Sequence, residues 1–319
     1  MRSFRHVLAP TDFSRCSSRA IALGGAIART TGARLTLLHV YPYTAPMGLD
    51  ALYLPNGLTP DEAARASIAR ELGRLAKSVP GTAHSIETAV RDGDASSEIL
   101  AYAEAHDADL IVMGAHGRRG LDRLIIGSVA QQVSRHAACS VLAVHEVAAG
   151  LPTSLPTLSN ILCAVDLTGP SDETLGRAAA LAKATGAKLT VHHAAQAVHW
   201  DDPWPIARGN EADVREALAE SARAQLATLI ARHTDPELKT ESIVTFGWPR
   251  EEIVRVATAC AADLLVLGAH STTFVGRVLF GSTAEHVLRA MPCPVLLVRP
   301  VPAGDVRRDE SEAAGAVTR

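Results

Sequence analysis

The sequence predicts an α/β fold that is built twice, as two tandem domains, each with a five-stranded parallel sheet and helices on both faces. The chain of 319 residues has the length of two ordinary domains, each able to bury its own core. Short apolar runs typical of buried strands alternate with helical patterns, and this order favours parallel sheets. One stretch of the first half also returns in the second half, which indicates a duplicated unit.

The duplication shows most clearly in residues 110–144 and 264–298, where 15 of 35 aligned residues are identical at an offset of 154 positions. The same offset relates Asp12 to Asp166 and Gly93 to Gly247. We therefore predict domain one over residues 1–147, a linker over 148–158, domain two over 159–301 and a disordered tail over 302–319. The tail consists mostly of small and charged residues, a composition that does not support a packed core.

The elements of domain one follow from its apolar pattern. Buried runs predict five strands near residues 6–12, 34–40, 84–90, 110–113 and 140–144. Between them, four helical stretches are predicted. The first helix carries an apolar stripe and ends at Thr31-Gly32, and the second helix opens with Asp61-Glu62. The third helix follows the Asp92-Gly93-Asp94 turn, and the fourth helix starts at Gly127-Ser128. A proline-bearing loop over residues 41–60 is unusually long, and we predict a ligand lid or an interface there.

Composition excludes several classes of protein. The apolar fraction is 47% and the charged fraction 20%, as expected for a globular protein. A net charge of −3 gives no basic field for nucleic acid or anionic lipid. The five cysteines show no CxxC spacing, which favours reduced thiols, and Cys139 and Cys293 recur where a small buried residue fits. No signal peptide or membrane-spanning run is visible, so we expect a cytoplasmic protein.

A glycine-containing loop carries the strongest functional signal. It follows a buried strand and reads Gly114-x2-Gly117-x9-Gly127-Ser128, after which a helical pattern begins. Glycines let a backbone approach a ligand closely, and a helix start offers unpaired N–H groups and the positive end of a dipole. The spacing is neither a Walker loop nor the compact dinucleotide fingerprint. The alternative is an ordinary strand-to-helix connection in which the glycines only make turns.

This spacing, together with Pro10-Thr-Asp-Phe-Ser14, resembles the nucleotide-binding signature of the universal stress protein family. The resemblance implies a Rossmann-like fold of the adenine nucleotide alpha hydrolase type and binding of ATP or another adenine nucleotide, with or without Mg²⁺. It places Asp12 on the adenine or ribose side and Val40 and Met113 beside the base. It also implies donors to ribose and phosphates from the following residues: Gly114, Gly117, Gly127, Ser128 and Val129. For Asp12 the alternative role is capping of the next helix.

Domain two keeps only part of this pattern. Ser271 replaces the second glycine, Ala194 stands in place of Val40, and Leu267 in place of Met113. If that glycine is needed for positive φ or for close phosphate approach, a serine adds strain or bulk. The matching residues that remain are Asp166, Gly268, Gly281, Ser282 and Thr283. Whether domain two binds nucleotide therefore stays open.

Several functions are compatible with these residues. The leading hypothesis is a stress-response module that binds an adenine nucleotide for regulation or sensing, mainly in domain one. Alternatives are a weak ATP hydrolase, although no Walker lysine or catalytic triad is apparent, and a scaffold or small-molecule carrier that uses domain two. A metal site near His192, His193 and His199 is a further alternative. The resemblance also implies that the last strands, residues 141–144 and 295–298, join the domains as an intramolecular pseudo-dimer, which could dimerise again; protein partners stay unknown.

Overall fold

The computed structural model describes residues 4–42, 60–80, 86–117, 126–145, 158–169, 171–195, 211–271 and 279–299. Most of the predicted lid, nearly all of the linker, the whole tail, His199 and two of the three tryptophans lie outside these ranges. The domain boundaries given above therefore stay predictions. The described ranges contain twelve strands and eight helices.

The described part of domain one contains five strands and four helices in strict alternation. In chain order they are β1 (His6–Pro10), α1 (Arg15–Thr31), β2 (Arg34–Tyr41), α2 (Pro60–Ser78), β3 (Glu87–Asp92), α3 (Ala95–Ala105), β4 (Leu110–Gly114), α4 (Ser128–His136) and β5 (Ser140–Val144). The predicted strands and helices are all present. Only the third strand is displaced, because it starts and ends later than its apolar run suggested.

Domain two repeats this order with one added ribbon of two short strands. Its elements are β6 (Asn160–Ala164), α5 (Asp172–Thr185), β7 (Lys188–Ala195), α6 (Glu211–His233), β8 (Thr240–Phe246), α7 (Pro249–Ala259), β9 (Leu264–Gly268), β10 (His270–Ser271), β11 (Leu279–Phe280), α8 (Ser282–Ala290) and β12 (Val295–Val298). The ribbon of β10 and β11 is antiparallel and separate from the main sheet.

Ten strands form one continuous sheet in the order β3-β2-β1-β4-β5-β12-β9-β6-β7-β8. Every neighbouring pair is parallel except β5 and β12, which pair antiparallel. The predicted pairing of the two last strands is therefore present, with Leu142 opposite Leu296. Because the two half-sheets run in opposite directions, the carboxyl ends of their strands lie at opposite ends of the sheet.

Helices cover both faces of the sheet, as predicted. On one face, side chains of α1, α2, α5 and α6, such as Ile21 and Leu226, pack in a single core with alternate strand residues. On the other face, α3 and α4 pack in a core around Ile111, and α7 and α8 pack in a core around Leu265. Burial of neighbouring strand residues on opposite faces explains why the strands read as continuous apolar runs.

Glycine ends the first helix of each domain in the same way. Gly32 after α1 and Gly186 after α5 adopt φ of 73° and 74°, a left-handed conformation that side chains disfavour. The helix end predicted at Thr31-Gly32 is thereby confirmed. In the described part of the chain, no helix is both long enough and apolar enough to cross a membrane.

Candidate functional site

The candidate site lies where the strand order of domain one reverses. The chain passes from β1 to β2 on one side and later returns to β4 on the other, so β1 and β4 are neighbours, with Val7 opposite Leu110. In open α/β sheets, ligands bind beyond the carboxyl ends of the strands at this reversal. Asp12 follows β1 and Gly114 ends β4. These two motifs are therefore neighbours at the same end of the sheet.

The Asp12 carboxylate faces the glycine loop, and it also forms a tight turn with its own backbone. Its Oδ1 accepts a hydrogen bond from the backbone N–H of Ser14 at 3.0 Å. A Cβ atom at Gly117 would lie 3.3 Å from its Oδ2. Ser14, not Asp12, is the N-cap of α1, and its hydroxyl accepts from Ser17 N at 3.2 Å. The alternative role for Asp12 as the cap of this helix is therefore not what the structure shows.

Two neighbouring side chains that the sequence analysis missed hold this turn. Thr11 Oγ1 accepts from the N–H of Phe13 at 3.0 Å, while Phe13 sits at φ 62°. His39 Nδ1 lies 2.6 Å from the carbonyl oxygen of Thr11, and it must carry the proton because a carbonyl only accepts. In domain two, His193 Nδ1 approaches the carbonyl of Val165 in the same way at 3.0 Å. The offset of 154 relates these histidines, so the repeat itself carried a signal for them.

The loop between β4 and α4 is closed by backbone hydrogen bonds. Gly127 N–H donates to Ala115 O at 2.7 Å, and Ala115 N–H donates to Val144 O at 2.7 Å. These bonds bring Gly127 close to Gly117, since a Cβ atom at Gly127 would lie 3.8 Å from the nitrogen of Gly117. Gly127 is also the N-cap of α4 and supplies no side-chain cap. The first amides of α4, at Ser128 and Val129, thus open towards this loop without a capping side chain.

Close approach, rather than unusual dihedrals, explains the glycines of the site. Among the described glycines, positive φ occurs at Gly32, Gly93, Gly186 and Gly247, and at none of the site positions. A Cβ atom at Gly114 would instead lie 3.0 Å from Ser17 N, where α1 passes the end of β4. Of the two reasons considered for Gly117, positive φ is not what the structure shows; a side chain there would crowd the Asp12 carboxylate.

Apolar side chains line the same strand ends on the face covered by α3 and α4. Met113 is buried in that core, and Val40 and Val129 pack against it while staying half-buried. These three residues come from β2, β4 and the first turn of α4. They form an apolar wall beside the polar groups of Asp12 and the glycine loop.

Two histidines follow β4 and β5 near the loop. His116 Nε2 and His145 Nδ1 are buried and have no hydrogen-bond partner among the described residues. Burial lowers the pKa of His145, and the nearby charges of Arg19 and His116 lower it further. His145 is therefore a neutral imidazole at neutral pH. The described residues contain no group of three or more His, Cys, Asp or Glu that could hold a metal ion.

Domain two keeps the strand ends, the helix start and the aspartate turn, but not the threonine that holds this turn in domain one. Asp166 is exposed, and its Oδ1 accepts from Thr168 N at 2.9 Å and from Thr168 Oγ1 at 2.7 Å. Val165 stands in place of Thr11 and has no hydroxyl. The backbone of Ser271 pairs with Leu279 in the antiparallel ribbon. The other candidates lie at the end of β9 and the start of α8, where the cap residue again offers no side-chain bond: Gly268, Gly281, Ser282 and Thr283.

Comparisons with known proteins agree with a duplicated domain. The model of the universal stress protein family matches twice, over residues 3–145 and 157–299. A universal stress protein of Methanocaldococcus jannaschii is 33% identical over 146 residues, which are 45% of this chain and 83% of the relative. One of Mycolicibacterium smegmatis is 23% identical over 299 residues, which are 92% of this chain and 97% of the relative.

A solved structure shows the same fold over nearly the whole chain. The crystal structure of a universal stress protein from Archaeoglobus fulgidus has a TM-score of 0.63 and 22% sequence identity, and the match covers 94% of this chain and 99% of that one. At this identity the likeness concerns the fold alone. The two family-model matches together span most of the sequence. The chain therefore belongs to the universal stress protein family, as a tandem of two family domains.

Proposed function

We propose that this chain binds ATP or a related adenine nucleotide in domain one and acts as a cytoplasmic regulatory or sensing module of the stress response. One observation carries the proposal. At the reversal point of the sheet, where open α/β sheets have a crevice, the Asp12 carboxylate lies beside Gly117, Gly117 lies close to Gly127, and the amides at the start of α4 follow. Such a combination of an acceptor, an open backbone and a helix N-terminus suits a ribose joined to phosphates.

Each part of the nucleotide has a matching part of the crevice. The apolar wall of Val40 and Met113 suits the adenine ring, and the Asp12 carboxylate suits the ribose hydroxyls or the exocyclic amine. Backbone amides of the glycine loop and of α4, with the Ser128 hydroxyl, suit the phosphates. A bound Mg²⁺ would supply further countercharge to the phosphates. In this proposal the nucleotide has a regulatory role, and slow hydrolysis is the alternative.

We propose that domain two binds nucleotide more weakly than domain one. Asp166 is exposed, whereas Asp12 is half-buried, and the Oδ1 of Asp166 also accepts from the Thr168 hydroxyl. The hydroxyl of Thr11 that holds the turn of domain one has no counterpart at Val165. Gly268, Gly281, Ser282 and Thr283 retain the backbone path for phosphates. The expected stoichiometry is therefore one tightly bound nucleotide per chain.

The test is calorimetric titration of ATP into the full chain and into two matched variants. Asp12→Asn removes the charge from an acceptor of ribose hydroxyls, and we expect ATP affinity to fall about 10- to 100-fold, since such hydrogen bonds contribute about 1.5–3 kcal/mol. Asp166→Asn, the equivalent change in domain two, is expected to leave the tight site within about twofold. Absence of ATP binding by the wild-type chain, or a loss caused by Asp166→Asn alone, would contradict the proposal.

A further inference from the structure

A side chain of domain two forms hydrogen bonds with the last turn of a helix of domain one. Arg299 follows β12 directly and is 8% exposed. Its Nη2 donates to the carbonyl oxygens of Ser134 at 2.8 Å and Arg135 at 2.9 Å, in the last turn of α4. Its backbone nitrogen lies 3.4 Å from the Ser140 hydroxyl. The guanidinium thus crosses the boundary between the two halves of the sheet and caps the end of α4.

This contact joins a buried charge to a helix dipole. Burial lowers the pKa of the Arg299 guanidinium, but the ordinary value is so far above neutrality that the group stays charged. Its Nε has no hydrogen-bond partner among the described residues, and the bonds that it makes there go to carbonyls of α4. The last carbonyls of a helix carry the negative end of its dipole, where a cation is stabilised. The position of Arg299 therefore depends on α4, and the position of α4 on Arg299.

The opposite end of the same helix faces the candidate phosphate site. α4 is 9 residues long, and its N-cap Gly127 is tied to the loop by the bond to Ala115 O. Because α4 is this short, a constraint on its last turn also restricts the direction of its first amides. The donors assigned to phosphate are hence oriented from both ends, by their own loop and by the other domain.

We propose that Arg299 is a positioning residue for the nucleotide site of domain one. It holds α4 by its last turn, so that the amides of the first turn point at the phosphates. This inference rests on the proposed function, because it concerns the same site. It also means that the site of domain one is incomplete without domain two.

The pseudo-symmetry of the chain shows that this contact is not a general feature of both halves. The offset of 154 relates Arg299 to His145, which follows β5. A neutral imidazole at that place offers at most one donor, and its Nδ1 has no partner among the described residues. The guanidinium of Arg299 instead reaches two carbonyls of the helix facing it. The contact of Arg299 with α4 therefore supports the candidate site of domain one, and the described residues of domain two show no equivalent contact from His145.

The experiment compares two ligands that differ in their phosphates. Affinities for ATP and for adenosine are measured by calorimetry on the full-length wild-type chain and on Arg299→Gln. Because adenosine has no phosphate, we expect ATP affinity to fall about 5- to 20-fold and adenosine affinity to stay within about twofold. A purely structural role would change both ligands alike.

Glu285→Gln is the matched control. Glu285 in α8 accepts from Arg135 at 3.3 Å across the same boundary, but both side chains are partly exposed and the bond does not involve the backbone of α4. We expect this variant to keep both affinities within about twofold. If Arg299→Gln does not fold, Arg299→Lys keeps the charge with a single donor group, and an ATP-selective loss of about two- to fivefold is expected.

Three results would overturn the inference: unchanged ATP affinity in the Arg299 variant, an equal loss for ATP and adenosine, or an ATP-selective loss in Glu285→Gln as large as that in the Arg299 variant. A wild-type chain that binds no ATP would instead refute the proposed function itself. The two failures are therefore distinguished by the wild-type titration alone.

Discussion

Acid is expected to weaken this fold through His192 in β7. The residue is fully buried, its Nε2 bonds to Thr245 Oγ1 at 2.9 Å, and its Nδ1 has no partner among the described residues. Burial lowers the pKa of His192 from 6.5 to about 4, although the nearby Glu252 carboxylate opposes the shift. The unfolded chain takes up a proton near pH 6.5 and the folded chain only near pH 4. The free energy of unfolding must therefore fall as the pH falls through this window.

The size of the effect follows from the shift. Each pKa unit corresponds to about 1.4 kcal/mol, so a shift of this size removes about 3 kcal/mol over the whole window and about 2 kcal/mol between pH 7 and pH 5. That is a large share of the roughly 5–15 kcal/mol that stabilises a typical native protein. Above pH 6.5 the loss vanishes, because both states then hold a neutral imidazole.

Urea unfolding of the wild-type chain and His192→Gln at pH 7 and pH 5 measures this contribution. The variant is expected to lose about 2 kcal/mol less than the wild type between the two pH values. Thr245→Val removes the hydroxyl partner but leaves the imidazole buried, so it lowers stability at both pH values and keeps the wild-type pH dependence. If wild type and His192→Gln lose the same free energy between pH 7 and pH 5, the reasoning is refuted.

Three other predictions concern stability and thiol chemistry. Gly114→Ala puts a Cβ atom 3.0 Å from a backbone nitrogen of α1, whereas Gly268→Ala puts one 3.3 Å from a side-chain hydroxyl. In urea unfolding we expect Gly114→Ala to lower the unfolding free energy by about 1–3 kcal/mol and Gly268→Ala by less than about 1 kcal/mol. Equal losses in the two variants would contradict this reasoning. Ala261 adopts φ 46°, so Ala261→Gly is expected to raise the unfolding free energy by about 0.5–1 kcal/mol, and a decrease would show that the backbone is unstrained. Burial raises the pKa of the Cys139 and Cys293 thiols to about 12. Iodoacetamide at pH 8 is therefore expected to alkylate them about 100-fold more slowly in the native chain than in urea. Rapid labelling of the native chain would exclude a packing role for these cysteines.

Much of the fold could be predicted because its signals are local or repeated. Alternating apolar runs and helical stripes gave the elements, and the constant offset gave the duplication. The pairing of β5 with β12 came from the family resemblance, since nothing in residues 141–144 themselves names a partner strand. The third strand was misplaced because β3 lies at the edge of the sheet, where its half-exposed residues do not form a clear apolar run.

The site was predictable as a set of motifs but not in its physical detail. The sequence alone shows only that Asp12 and the glycine loop both follow strand ends, and the family resemblance implied that they meet. Position 114 requires a glycine because α1 passes close to the end of β4, which only the three-dimensional arrangement shows. Arg299 had no signal at all, because its partners lie 164 and 165 positions away and are backbone carbonyls, which any residue type supplies.

The antiparallel join between β5 and β12 has a consequence for how the two halves can evolve. In separate polypeptides, one surface would have to serve both copies, and every mutation would appear on both sides of the interface at once. Here each half always meets the other in a fixed ratio, so a change in one half can be matched by a different change in its neighbour. Thr11 against Val165, and Arg299 against His145, are differences of this kind. The covalent tandem thus allows the two halves to change independently of each other.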